Sequence, residues 1–110
     1  MGRLEFFVHG SSSEPYRVVL EKNAENLNGF CTCGAGSNGQ ACKHVLRILS
    51  GNPEGLASVF PEQLMLAVNW TVGTDVELAL KELAVAEDHY EAAKRSLSAA
   101  KKALSASLRK

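Results

Sequence analysis

Cys31-Thr32-Cys33-Gly34-Ala35-Gly36-Ser37-Asn38-Gly39-Gln40-Ala41-Cys42-Lys43-His44 gathers every cysteine of this chain and one of its three histidines. Three thiolates and an imidazole make a complete tetrahedral ligand set for Zn²⁺, with bonds of about 2.3 Å to sulfur and about 2.0 Å to nitrogen. The segment between the pairs contains Gly34, Gly36 and Gly39, so its backbone can turn back and bring the second pair onto the first. In an extended segment residues i and i+2 point to one side, so Cys31 and Cys33 can share an ion if Phe30 to Gly34 ends a strand. On a helix the same separation turns through about 200°, so Cys42 and His44 cannot both be interior helix ligands. The expected solution puts Cys42 at the N-cap or first turn of a helix carrying Lys43 to Leu49, where free amide N–H groups favour a thiolate, and His44 reaches in from that first turn.

Other uses of these cysteines fit less well. Free core cysteines do not ordinarily flank a glycine-rich loop in Cys-x-Cys and Cys-x-His pairs. A disulfide would strand the third thiol, and Met1 to Gly10 has no signal-peptide pattern. Iron–sulfur ligation would call for more cysteine. Four protein ligands leave no open position for an activated water, so the site is read as structural, and without a nucleophile–base set no enzyme is expected.

Working outward, Tyr16-x-Val18-x-Leu20, a short connection, the Cys31-x-Cys33 pair, a loop, and Cys42-Lys43-His44-Val45-Leu46 resemble the SWIM-type zinc finger, over about residues 4–50. The resemblance implies zinc ligation by Cys31, Cys33, Cys42 and His44 on a ββα unit, and a module that binds DNA or other proteins. Within these 110 residues no ATPase, nuclease or kinase of the kind found in larger proteins with such fingers is expected, so the function is not expected to follow from a catalytic neighbour.

The flanking sequence supports an α+β chain with three parts: a zinc-bound ββα finger at 1–50, short helices packing on it at 51–73, and one long helix at 74–110. Arg3 to His9 and Tyr16 to Lys22 are rich in aromatic and β-branched residues around a Gly10-Ser11-Ser12-Ser13-Glu14-Pro15 turn, which reads as a hairpin. Asn23 to Gly29 is read as the connection to the first ligand pair. Asn52-Pro53 offers an N-cap and first helical residue, and Pro61 opens a further helix to about Trp70. Leu56, Val59, Phe60, Leu64, Met65, Val68 and Trp70 are expected to supply apolar mass to the finger, which is too small to hold itself together without metal.

Thr74-x-x-Glu77 reads as a capping box, and no glycine or proline follows from Asp75 to Leu108, which predicts a helix about 50 Å long. Val76, Leu83, Tyr90, Leu97 and Leu104 recur every seven residues, and Ala79, Ala86, Ala93, Ala100 and Ser107 follow three positions later. This is a coiled-coil-like seam with one large and one small edge. Residues 75–91 carry six carboxylates against Lys81, net −5, while 92–110 carry six cations, net +6. An antiparallel homodimer would set each acidic half against a basic half. The alternative is that the helix folds back on its own domain.

Twelve cations balance twelve anions over 110 residues, which argues against a generic nucleic-acid binder. Lys43 and Arg47, four apart on the finger helix, with Arg3, Arg17 and the basic C-terminal tail, are the residues that would meet phosphates if nucleic acid were the ligand. His9 and His89 have no ligand-spaced companions. No apolar run approaches a membrane span, and reduced thiolates point to the inside of the cell. The expected function is thus a zinc-binding interaction module that self-associates or docks on a protein partner, with DNA binding as the second reading.

Overall fold

The computed structural model describes residues 2–58 and 60–109. The chain divides into two units, Met1–Glu77 and Leu78–Lys110.

The first unit is built on a three-stranded antiparallel sheet in the order β1 (Gly2–Val8), β2 (Tyr16–Asn23), β3 (Asn26–Cys31). In β1 alternation is regular: Leu4, Phe6 and Val8 are buried and Arg3, Glu5 and Phe7 are exposed, as a half-buried strand requires. Register places Phe6 opposite Val18 and Val18 opposite Cys31, so the first thiol stands in the same row as two of the core side chains. The other face carries the Arg17 guanidinium, 3.0 Å from Glu5, with Arg3 at 3.6 Å from the same oxygen. β3 occupies most of the segment read from sequence as a connection, so the finger has three strands before its helices. The turn from β2 into β3 is tight and passes through Ala24 at φ 53°.

Four helices follow: α1 (Gly34–Ser37), α2 (Lys43–Leu49), α3 (Pro61–Trp70) and α4 (Asp75–Ser107). α1 is a single turn inside the glycine-rich loop. α2 has the expected bounds and buries Ile48 and Leu49. It can approach the sheet because β3 carries Gly29: a Cβ there would stand 3.3 Å from both Leu20 and Val45. α3 starts at Pro61 as expected and buries Leu64 and Ala67. The Trp70 ring at its end lies against Gly2 in β1, so close that a Cβ on Gly2 would be 2.7 Å from it.

Three further expectations are corrected. Asn52-Pro53 does not start a helix: the Asn52 side chain accepts from Glu54 N at 3.0 Å, and the following residues bond the free edge of β1, through His9 N to Gly55 O at 2.7 Å and Ala57 N to Phe7 O at 2.8 Å. Backbone pairing along an open strand edge outweighs the local helix-start signal. Of the apolar residues assigned to the core, Phe60 and Met65 are exposed, at 57% and 72%, while Ala67 is fully buried; Val59 lies outside the described residues. The Thr74 and Glu77 pair does not close a reciprocal capping box. Thr74 Oγ1 donates to Thr71 O at 2.7 Å, and Glu77 accepts from Gly73 N at 3.4 Å, one residue before the expected donor.

In the second unit α4 continues unbroken to Ser107, and every described residue from Lys81 onward is exposed. From Ala79 onward the side chains of the expected seam are exposed in the single chain, with Tyr90 at 63%, Leu97 at 57% and Leu104 at 61% exposure, while Val76 at its start is half-buried. Among the described residues no helix is long and apolar enough to cross a membrane.

Candidate metal centre

The four donor atoms arrive from three directions. Cys31 ends β3, which is held beyond its last residue by Thr32: its N–H donates to Arg17 O at 3.1 Å and its hydroxyl accepts from Arg17 N at 2.9 Å. Cys33 then becomes the N-cap of α1, and Cys42 the N-cap of α2, both with extended backbone. His44 follows in the first turn of α2. The N-cap placement of Cys42 resolves the spacing problem as the sequence reading expected, and the same device recurs at Cys33.

One turn of helix needs its free N–H groups satisfied, and here sulfur does it. Gly36 N donates to Cys33 Sγ at 3.3 Å and Val45 N to Cys42 Sγ at 3.4 Å, while Cys33 N donates to Cys31 Sγ at 3.5 Å. Each sulfur thus accepts a backbone N–H, which spreads the net negative charge that three thiolates leave on a divalent ion.

All four side chains are buried, and their donor atoms lie within 4.8 Å of one another. His44 turns Nδ1 toward the cluster, 3.7 Å from Cys31 Sγ. Zinc bonded to sulfur and nitrogen at ordinary lengths gives a tetrahedral edge of about 3.6 Å, so the donors fit that ion without rearrangement of the fold. Three sulfurs and one nitrogen also match its preference over magnesium or calcium, which take oxygen.

Electrostatics of the metal-free side chains point the same way. Burial pushes the Cys31 thiol up to about 12, against the pull of the Cys33 N–H, with the two neighbouring cysteines raising it further. Cys33 is pulled down: burial acts upward, and the N–H of Gly36 with the adjoining thiols outweighs it. His44 is pushed down by burial first and then by Lys43 and Arg47, which keeps the imidazole neutral and able to coordinate. Three thiols this close cannot all ionise without a cation among them.

Sequence reasoning did not find two neighbours that shape the centre. Tyr16 packs its ring on His44, with centroids 5.1 Å apart, and its hydroxyl meets Ser11 Oγ at 3.1 Å. Gly36 sits so close to β3 that a Cβ would fall 2.5 Å from the Cys31 carbonyl oxygen. Tyr16 entered the sequence pattern only as a strand residue, and nothing local ties it to His44, since its partner lies in another element. Gly36 carried a signal, its glycine-rich context, but that was read as turning freedom when its use is close approach.

The residues proposed for phosphate contact do not form one group. Lys43 is exposed next to the cluster, Arg47 is half-buried with its guanidinium beside Gly55, and Arg3 and Arg17 are engaged with Glu5 on the sheet's outer face. His9 and His89 lie outside the cluster.

No curated protein and no solved structure matches the chain. Residues 16–50, from the start of β2 to the cap that ends α2, match the family model of the SWIM zinc finger, and the four donors that the fold brings together all lie within that match.

Proposed function

We propose that this chain is a zinc-binding interaction module, in which one structural Zn²⁺ held by Cys31, Cys33, Cys42 and His44 pins the first unit and the long helix of the second unit docks on protein. The observation that carries this reading is the pairing of a buried four-donor cluster and a 33-residue helix without a buried side chain. A regular apolar stripe that remains exposed is a binding surface in a protein of this size. The closed donor set also supports a binding role over a catalytic one.

DNA binding is the second reading and rests on the family match. The charge arrangement does not favour it: three of the four arginines and lysines placed on the finger for phosphate contact are half-buried or paired with Glu5. Anisotropy of labelled duplex and single-stranded oligonucleotides, titrated with zinc-loaded protein across a salt series, tests the choice. The proposed function expects only weak, sequence-indifferent association that vanishes by about 0.2 M salt, the behaviour of a few phosphate contacts. Sub-micromolar binding to one sequence at that salt would replace it with the nucleic-acid reading.

A further inference from the structure

We infer that the partner of the long helix is a second copy of itself, packed antiparallel about a two-fold axis that passes between Glu91 and Ala92. The inference rests on the interaction-module reading and names its partner.

The seam has one large and one small edge. In an antiparallel pair of helices the core residue at the first position of one heptad faces the core residue at the fourth position in the other chain, whereas in a parallel pair like faces like. With the axis between Glu91 and Ala92, Tyr90 meets Ala93 of the second copy, Ala86 meets Leu97, Leu83 meets Ala100, and Ala79 meets Leu104. Each of these layers, and its symmetry mate, joins one large and one small side chain, so core volume is even along the whole contact. A parallel pair would alternate layers of two large residues with layers of two alanines, overfilled and then void. The residues concerned are exposed in the single chain and belong to one unbroken helix.

Charge on the flank agrees independently. Glu87 and Lys94 are seven residues apart on one side of the seam, and the same axis sets Glu87 of each copy against Lys94 of the other, twice by symmetry. Within its own chain Lys94 already lies 3.2 Å from Glu91 and over the Tyr90 ring at 4.9 Å, which holds its stem along the seam. A parallel pair would oppose Glu82 to Glu87 instead, like against like. An unrelated partner helix would have to reproduce both the volume alternation and the charge reversal that this helix supplies to itself.

The test is analytical ultracentrifugation of the zinc-loaded full chain from about 1 µM upward, with zinc content and Trp70 fluorescence recorded for every variant. The wild type should be a dimer. Glu87→Lys and Lys94→Glu should each weaken it roughly ten-fold, and the double variant should return to near the wild-type affinity, because each single change places like charges at two symmetric contacts and the double change restores opposites. Ala86→Leu with Ala93→Leu should abolish the dimer even though it adds apolar surface. A zinc-loaded monomer at high micromolar concentration would overturn the inference and leave the interaction reading open to another partner. Strengthening by Glu87→Lys would show parallel pairing, and a double variant that stays weak would remove the Glu87 to Lys94 contact; either result overturns it. Loss of zinc from the wild-type chain would instead overturn the reading beneath it.

Discussion

The unit at residues 2–77 and the helix beyond it obtain order by different means. In the first, buried side chains from three strands and two helices meet, and a cluster of donors sits where the chain reverses. In the second, each turn bonds only to the turn before it, and no side chain is buried. A small sheet with little core depends on contacts distant in sequence and on a metal to fasten them. An alanine- and leucine-rich helix depends on propensity and on whatever covers its face. The two regions should therefore fail under different insults.

Removal of zinc should give the largest effect. Chelation, or Cys33→Ser, should unfold the first unit while far-UV dichroism retains much of the signal of α4, because structural zinc contributes on the order of 10 kcal/mol in small fingers. Near-UV dichroism and amide exchange check this, and a metal-free chain with unchanged protection in β2 and β3 would break the contrast. Acid should act on the same unit. With Cys31 pushed up to about 12 in the metal-free state, zinc must displace its proton, so affinity rises with pH. His44 is held below its ordinary value, so as pH falls the unfolded chain takes up a proton that the folded chain refuses. Its contribution is present above the unfolded value, near 6.5, and is lost as pH falls through the folded one. Zinc release followed between pH 7 and 4 should track this loss, with α4 unaffected in the same window.

Gly36→Ala comes next. The added methyl would meet the Cys31 carbonyl at 2.5 Å, backbone against which no side chain can swing away, and should cost about 2 kcal/mol as a lowered denaturation midpoint and weaker zinc retention. Ala92→Gly probes the other region. It should cost about 1 kcal/mol of helix stability, visible as reduced far-UV ellipticity, with zinc content unchanged. The smallest effect should come from Ala24→Gly, where relief of a left-handed backbone at φ 53° offsets the added freedom of the unfolded chain. A gain of roughly 0.5 kcal/mol in urea unfolding is the expected sign and size.

What was legible in the sequence follows the same division. α4 could be read from its composition and heptads because its structure is local. The ligand set was legible because metal chemistry restricts residue type and spacing, and the Cys42 cap followed from the angle that two residues subtend on a helix. β3 was not, since Asn26, Asn28 and Gly29 are poor strand formers and hold their place by pairing with β2. The helix expected at Pro53 failed for a similar reason: the edge of β1 recruits that backbone, and no local signal announces it. Apolar content alone also could not say which side of α3 faces inward, so Met65 and Phe60 were placed in a core that Leu64 and Ala67 fill.

Trp70 has an optical consequence. It is the chain's single tryptophan, and its ring rests on the first strand at Gly2, while one tyrosine, Tyr16, lies on the ligand histidine and the other, Tyr90, stands on the helix. Excitation at the red edge of the absorption band therefore interrogates the first unit alone and is blind to the second. A titration that changes indole emission reports on the seal between α3 and β1, and in a Tyr16→Phe chain the remaining tyrosine signal, from Tyr90, reports on the helix alone, so the two halves of the chain can be followed separately in one cuvette without a label.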